Sequence, residues 1–260
     1  MANPEVSIIG SGNLATNLAV ALENAGIVIN EVYSRNPSNA ERLTNRLYQA
    51  EAIESLNFKE STSTVFILLV SDESISPIAD QIILPSNDCI LVHTSGSIPL
   101  NAIEQIHQNC GVIYPLQTFT ADKLVEFTEV PLLIEASNKK AEKILLGTAQ
   151  AISKEVFLVD SESREIIHMA AVFASNFTNH MLHIAEGILQ EIDLDIHMLA
   201  PLIKETVEKS MLHGPKKTQT GPARRNDLLV MNRHLKKLKD DQELAVIYKK
   251  ISEHIINKYH

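Results

Sequence analysis

Gly10, Gly12 and Ala15 follow the apolar segment Val6-Ser7-Ile8-Ile9 in the spacing Gly-x-Gly-x-x-Ala. That spacing suits a pyrophosphate. Gly10 permits a tight turn, Gly12 lets an anion approach the backbone, and Ala15 is small where helix and strand pack closely. Ser11, Asn13 and Leu14 complete the turn. A helix starting near Asn13 would aim its unpaired N–H groups and positive dipole end at the anion. The next strand, expected over 27–33, ends in Tyr33-Ser34-Arg35-Asn36-Pro37-Ser38. An acid at that strand end would bind a ribose 2′-hydroxyl, but Glu31 lies too early, inside the strand. Arg35 offers a planar cationic donor fork suited to a 2′-phosphate, with Ser34 and Ser38 adding hydroxyls. The residues therefore predict NADP(H) over NAD(H).

Further polar groups gather later in the chain. Val70-Ser71 and His93-Thr94-Ser95-Gly96 each end an apolar strand, where nucleotide ligands of such sheets sit. A helix is expected over 163–191. At 100° per residue, Ile166, Ala170, Phe173, Phe177, Met181, Ile184 and Ile188 share one apolar side. His168, Ser175, Asn176, Asn179, His180 and His183 gather on the other. Short uncharged hydrogen-bonding groups of that kind suit a polar pocket better than a solvated face. His180 and His183 have metal-ligand spacing, but no further ligand pattern accompanies them, so no metal is expected. In the loop Thr220-Gly221-Pro222-Ala223-Arg224-Arg225-Asn226-Asp227, Gly-Pro fixes a turn. Arg225 there suits an anionic substrate group or an ion pair with Asp227, and Asp227 can cap the following helix.

The elements that must position these groups change character along the chain. The first part alternates strand and helix. Strands are expected near 6–9, 27–33, 64–70, 89–92, 111–114, 130–135 and 155–159, with helices from Asn13, near 40–48, from Ser71 and over 139–153. From Glu162 onward only helices are expected, over 163–191 and 196–213 and in two more stretches after Asn226, broken by a loop over 214–222. The reading is an α/β fold: a Rossmann-type dinucleotide-binding domain over 1–159, then an all-helical domain over 160–260.

Length and charge narrow the function. A chain of 260 residues suits one large or two smaller domains. A net charge of −9 with no basic tract argues against nucleic acid. The aliphatic run Val65–Val70 is too short to span a bilayer, and the amino terminus lacks a charged-then-apolar leader. A cytoplasmic protein is expected. Cys89 and Cys110 read as idle thiols in a reducing compartment.

Gly10-Ser-Gly-Asn-Leu-Ala15, His93-Thr-Ser-Gly96, Tyr114-Pro-Leu-Gln-Thr-Phe119, His168-Met-Ala-Ala-Val-Phe-Ala-Ser-Asn176 and Thr220-Gly-Pro-Ala-Arg-Arg-Asn-Asp227 form a set. Together they resemble the Rossmann-like NADP oxidoreductases that carry a helical domain of unknown function. Relatives of that group include pyrroline-5-carboxylate reductase, ketopantoate reductase and the β-hydroxyacid dehydrogenases. The resemblance spans nearly the whole chain. It implies NADP(H) at the carboxyl edge of the sheet, a small-molecule substrate between the domains and a homodimer joined through the helical part. Gly10, Ser11, Gly12, Asn13, Leu14, Ser34, Arg35, Val70, Ser71, Thr94 and Ser95 would then line the cofactor. His168, Asn176, Arg225 and Thr220 would meet the substrate. β-Hydroxyacid dehydrogenases carry a lysine four residues before the asparagine, and this chain has Val172 there. His168, or His93, would have to supply the proton instead, since histidine as a residue type titrates near neutrality. The missing lysine also fits a non-catalytic NADP(H)-binding sensor or partner-binding module. Some relatives of the domain pair NADP with a deazaflavin, but no residue here points to that cofactor.

Overall fold

The structure, a computed structural model, describes residues 4–120 and 123–260. It divides into two compact units, Met1–Thr178 and Asn179–His260.

The first unit opens with β1 (Val6–Ile9), α1 (Asn13–Asn24), β2 (Ile29–Tyr33), α2 (Pro37–Thr44), β3 (Glu51–Ile53), β4 (Val65–Leu68) and α3 (Asp72–Gln81). It continues with β5 (Ile90–His93), α4 (Asn101–Glu104), β6 (Cys110–Pro115), β7 (Leu132–Ala136), α5 (Lys139–Gln150), β8 (Val156–Leu158) and α6 (Ser161–Ala171). The eight strands form one sheet in the order β3-β2-β1-β4-β5-β6-β7-β8. Neighbours are parallel except β6 and β7, which run antiparallel. β1, β4 and β5 are buried along their whole length, as near-continuous aliphatic runs between two helical layers should be. Alternation divides their side chains. Ile8, Ile67 and Val92 pack with Leu18, Leu22 and Leu145 on one side, while Ile9, Leu68 and Leu91 pack with Phe66, Ile75 and Ile103 on the other. Each such side chain contributes about 1.5–3 kcal/mol by leaving water.

Local chemistry explains where the elements depart from the sequence reading. α2 begins at Pro37, ahead of the expected Ala40. The Asn36 side chain accepts the Ser38 amide hydrogen, and proline suits the first helical turn. β3 is a short, largely exposed edge strand that lacks an apolar run, and the sequence did not announce it. Ser71 precedes α3 but does not cap it through its side chain; its hydroxyl pairs with the Ser74 hydroxyl at 2.9 Å. Cys110 is buried, which pushes its thiol up to about 11.

The helix expected over 163–191 is not uniform. After α6, Val172–Phe177 form a wider π-helical turn, and α7 (Thr178–Gln190) follows. Each residue of a π-turn advances less than 100°, so the single stripe drawn through this stretch does not hold across it. Its supposed apolar side is also open: Ile166, Phe173, Phe177 and Ile188 are all exposed.

The second unit is helical. It comprises α7 from Asn179 onward, a short 3₁₀ turn (Ile196–Leu199), α8 (Ala200–His213), α9 (Pro215–Thr218), α10 (Leu228–Lys237) and α11 (Gln242–Tyr259). α9 falls within the stretch expected to be a loop. Asp227 caps α10 by accepting the Val230 amide hydrogen at 3.1 Å. Among the described residues no helix is long and apolar enough to cross a membrane.

Candidate functional site

The glycine turn joins β1 to α1 at the carboxyl edge of the sheet. Gly10 has φ +126°, and a Cβ there would lie 2.1 Å from the Leu69 carbonyl oxygen of the neighbouring β4 exit. Only glycine fits. A Cβ on Gly12 would meet nothing, so the space above that backbone is open. Gly12 gives α1 no side-chain cap, and the first turn holds no acid. The helix therefore presents free N–H groups to the cleft. Asn13 spends its side chain on the Phe119 carbonyl, 3.2 Å away, which fixes the turn.

A cleft of about 560 Å³ opens above this turn. Gly10, Ser11, Gly12, Asn13, Leu14, Ser34, Arg35, Val70, Ser71, Thr94 and Ser95 all line it, whereas Ser38, also expected to add a hydroxyl, does not. Asn36, Asn39 and Asp72 line it as well, and the sequence reading had not named them for this role. The Ser11 and Ser34 hydroxyls meet at 2.8 Å and tie the turn to the end of β2. Arg35 makes no ion pair or hydrogen bond among the described residues, so its cationic fork stays available to the cleft. Glu31 is engaged elsewhere: it accepts from Ser7 and from Ser61, the latter at 2.9 Å. A free cation, an uncapped helix and a distant acid fit the pyrophosphate and 2′-phosphate of NADP(H).

At the other end of the cleft, Thr94 donates to the Leu68 carbonyl at 3.2 Å, and Ser95 leads into Gly96. Tyr114, near the end of β6, and His168, from α6, close over Gly96. The Tyr114 hydroxyl and His168 Nδ1 lie 2.9 Å apart. A Cβ on Gly96 would sit 2.7 Å from His168 Nδ1 and 2.8 Å from the Tyr114 ring, so the absent side chain makes room for the pair. Burial, and then the Asp72 carboxylate, raise the Tyr114 pKa and hold it as a phenol. No sequence signal assigned Tyr114 a role, although a lone hydroxyl-bearing ring ending the apolar run Cys110–Tyr114 hints at one.

His93 departs from its expected role as proton donor. It is fully enclosed, and its Nδ1 accepts the Ser95 amide hydrogen at 3.2 Å, which leaves the proton on Nε2. Nε2 lies near the Pro99 carbonyl without good hydrogen-bond geometry. Loss of solvent, then the Arg164 cation, push its pKa down to about 3. The imidazole is neutral and sealed, so it orders the Thr94–Ser95 turn and does not reach a ligand.

Arg164 anchors this end. It is 1% exposed, pairs with Glu135 of β7, and donates to the Ile98 carbonyl at 2.6 Å. Ser161 donates its amide to Glu135 at 3.0 Å and accepts the Leu100 amide hydrogen at 3.0 Å. Breaking a buried pair of this kind costs about 3–5 kcal/mol, because one charge is left uncompensated. Arg164 lies four residues before His168 on one helix face, so the ion pair fixes the turn that carries the histidine. That spacing was the available signal for Arg164.

Asn176 lies exposed in the π-turn, and its side chain makes no hydrogen bond among the described residues. In the second unit, Thr220 and Arg225 are exposed on their loop. Arg225 forms no ion pair with Asp227, whereas Arg224 stacks on the Tyr259 ring, 4.7 Å from its centre. The His180 and His183 rings are 6.2 Å apart, and His183 lies 3.7 Å from Glu186.

Comparison with known proteins agrees with this architecture. Residues 1–117 match the Rossmann-like domain family, and 130–255 match the domain of unknown function DUF2520. The chain is 38% identical to a putative NADP oxidoreductase from Bacteroides fragilis of known structure, over 98% of each chain, with a TM-score of 0.88. A reductive aminase from Aspergillus terreus, solved with NADPH and ethyl-5-oxohexanoate, shares the fold at 12% identity and TM-score 0.76, covering 99% of this chain and 95% of its own. Pyrroline carboxylate reductase from Plasmodium falciparum, solved with NADP, shares it at 12% identity and TM-score 0.59, over 100% and 98%. No curated protein sequence matches.

Proposed function

The chain belongs to the family of the Bacteroides NADP oxidoreductase-like protein, with a Rossmann-like domain followed by DUF2520, and from that premise we propose that it is an NADP(H)-dependent oxidoreductase. Its substrate is a small carbonyl or imine compound, anionic if Arg225 meets it. The observation that carries the reading is the unpaired Arg35 in the same cleft as the uncapped glycine turn. Gly10, Ser11, Gly12 and Leu14 hold the pyrophosphate by backbone approach. Ser34 and Arg35 hold the 2′-phosphate, and Val70, Ser71, Thr94 and Ser95 line the ribose and nicotinamide side. The cofactor, when bound, supplies the hydride. The protein supplies position and a proton, with His168 and Asn176 on the substrate side.

The second unit supports a homodimer. Its helices leave Met211, Leu212 and Leu229 more than 70% exposed, as apolar side chains awaiting a partner surface would be. A non-catalytic NADP(H) sensor is favoured by one observation, the valine at 172 in place of the relatives' lysine.

Titration with NADPH and NADH tests the cofactor. Arg35→Asp is expected to weaken NADPH by at least about tenfold, since a charge-assisted hydrogen bond contributes about 1.5–3 kcal/mol, and to spare NADH. Equal losses for both would remove Arg35 from the 2′-phosphate site. Loss of NADPH absorbance across keto acids, imines and aldehydes tests catalysis. Tight NADPH binding with no turnover on any of them would favour the sensor.

A further inference from the structure

We propose that Tyr114 is the group that hands the proton to the substrate, and that His168 reloads it from solvent. The proposal rests on the oxidoreductase reading and names the acid that the missing lysine leaves open.

Tyr114 and His168 are hydrogen-bonded at 2.9 Å directly over Gly96, the residue after the cleft-lining Thr94 and Ser95. A Cβ on Gly96 would lie 2.8 Å from the Tyr114 ring, so Tyr114 packs against the residue that follows the cleft-lining Thr94 and Ser95. Tyr114 is half-buried, so part of the ring remains accessible. His168 Nδ1 is taken up by Tyr114, so the imidazole reaches a substrate less readily than the phenol does. His168 Nε2 makes no hydrogen bond among the described residues, and His168 is itself half-buried, which leaves Nε2 a route to water. The Arg164–Glu135 pair one turn earlier holds the helix that carries His168.

The proton count closes. His168 in the Nδ1–H tautomer donates to the phenol oxygen, which leaves the Tyr114 O–H free to point into the cleft. That O–H bond breaks as a new O–H or N–H bond forms on the substrate and hydride reaches its carbon. The phenolate then takes the Nδ1 proton, while Nε2 takes one from water. The pair ends as neutral phenol and the Nε2–H tautomer of neutral imidazole, and tautomer exchange through solvent restores the start. The elevated pKa keeps the phenol protonated across the working range, and the Nδ1–H bond steadies the transient phenolate.

Two measurements test the assignment. The first needs no cofactor. The tyrosinate absorbance of the ligand-free protein is titrated for wild type, Tyr114→Phe and His168→Leu. The protein has five tyrosines, and Tyr114→Phe identifies the late-ionising one. In His168→Leu that ionisation should move to higher pH, because a donor to the phenolate is gone. Movement to lower pH would mean that the phenol donates into His168, and would overturn the relay. The second measurement follows NADPH oxidation on whichever keto acid, imine or aldehyde wild type turns over. Tyr114→Phe should lower kcat by about 100-fold or more, with NADPH affinity unchanged. His168→Leu should lower kcat less and remove the solvent isotope effect of reloading. Wild-type kcat in Tyr114→Phe would overturn the proposal alone. No turnover by wild type on any compound would overturn the oxidoreductase reading, and this proposal with it. Should Tyr114→Phe fail to fold, the His168→Leu titration and isotope effect still decide.

Discussion

In the first unit every residue of β1, β4 and β5 is buried, and Arg164, Glu135 and Ser161 bind one another in a cluster beside the sheet. In residues 179–260 only Ala223, Met231 and Ser252 are buried, although α8, α10 and α11 carry many apolar side chains. The sheet unit thus carries its own core. The helical unit has its amphipathic helices and caps, but its apolar surface lies open and calls for a cover. The sheet unit has its nucleotide cleft on a sealed core, whereas the open apolar surface of the helical unit is what the proposed homodimer would cover.

The contrast can be broken in four places. Leu145→Ala, at a fully buried position under the sheet, should cost about 3 kcal/mol through transfer and cavity terms. The urea midpoint should fall independently of protein concentration; a cost below about 1 kcal/mol would undo the picture of a sealed sheet unit. Leu212→Asp, at a side chain 77% exposed, should leave the sheet unit's stability intact. It should weaken the proposed dimer by about 100-fold, roughly 2.7 kcal/mol, read by sedimentation over a dilution series. A wild type that sediments as a monomer throughout would remove the cover argued for the helices.

His93→Asn tests the sealed polar end. The folded pKa of about 3 lies below the ordinary 6.5, so as pH falls the unfolded chain binds the proton first. The stability due to neutral His93 is whole above pH 6.5 and drains away between 6.5 and about 3, at up to about 1.4 kcal/mol per pH unit. Asparagine keeps an acceptor for the Ser95 amide but does not titrate, so the variant's acid limb should be flatter by that slope. Identical limbs would mean that His93 is not held neutral. The smallest effect belongs to Asp241→Ala. Asp241 caps α11 by accepting the Leu244 amide hydrogen at 2.9 Å, and its loss should cost about 1 kcal/mol. Faster amide exchange should appear in the first turn of α11 and leave the sheet untouched.

The legible parts of the sequence were those written in local chemistry. Gly10 and Gly12 carry their conformational demands in their identity, and Arg35 follows a strand end that Tyr33 and Pro37 make plain. Those residues converge on one cleft. Long-range pairing was not legible. Tyr114 and His168 are 54 positions apart, and only the register of β6 with the path of α6 brings them together. His93 misled because its type suggests chemistry, whereas burial decides its charge. The π-turn at Val172–Phe177 was hidden because periodicity assumes a constant advance per residue.

The antiparallel pairing of β6 with β7 determines which way the chain leaves the sheet. Leu132 sits opposite Pro115 and Ala136 opposite Gly111, so β7 and the parallel β8 run back toward the amino-terminal edge. α6 therefore starts low. Ser161 and Arg164 bind Glu135, which is level with Val112, and the helix reaches His168 beside Tyr114, two residues further along β6. Had β7 and β8 followed the direction of the other strands, the exit would lie at the carboxyl edge, and the same helix would climb away from the cleft. One reversal of strand polarity thus converts a departing helix into an approaching one, and delivers a distant histidine to the ligand edge with no added loop.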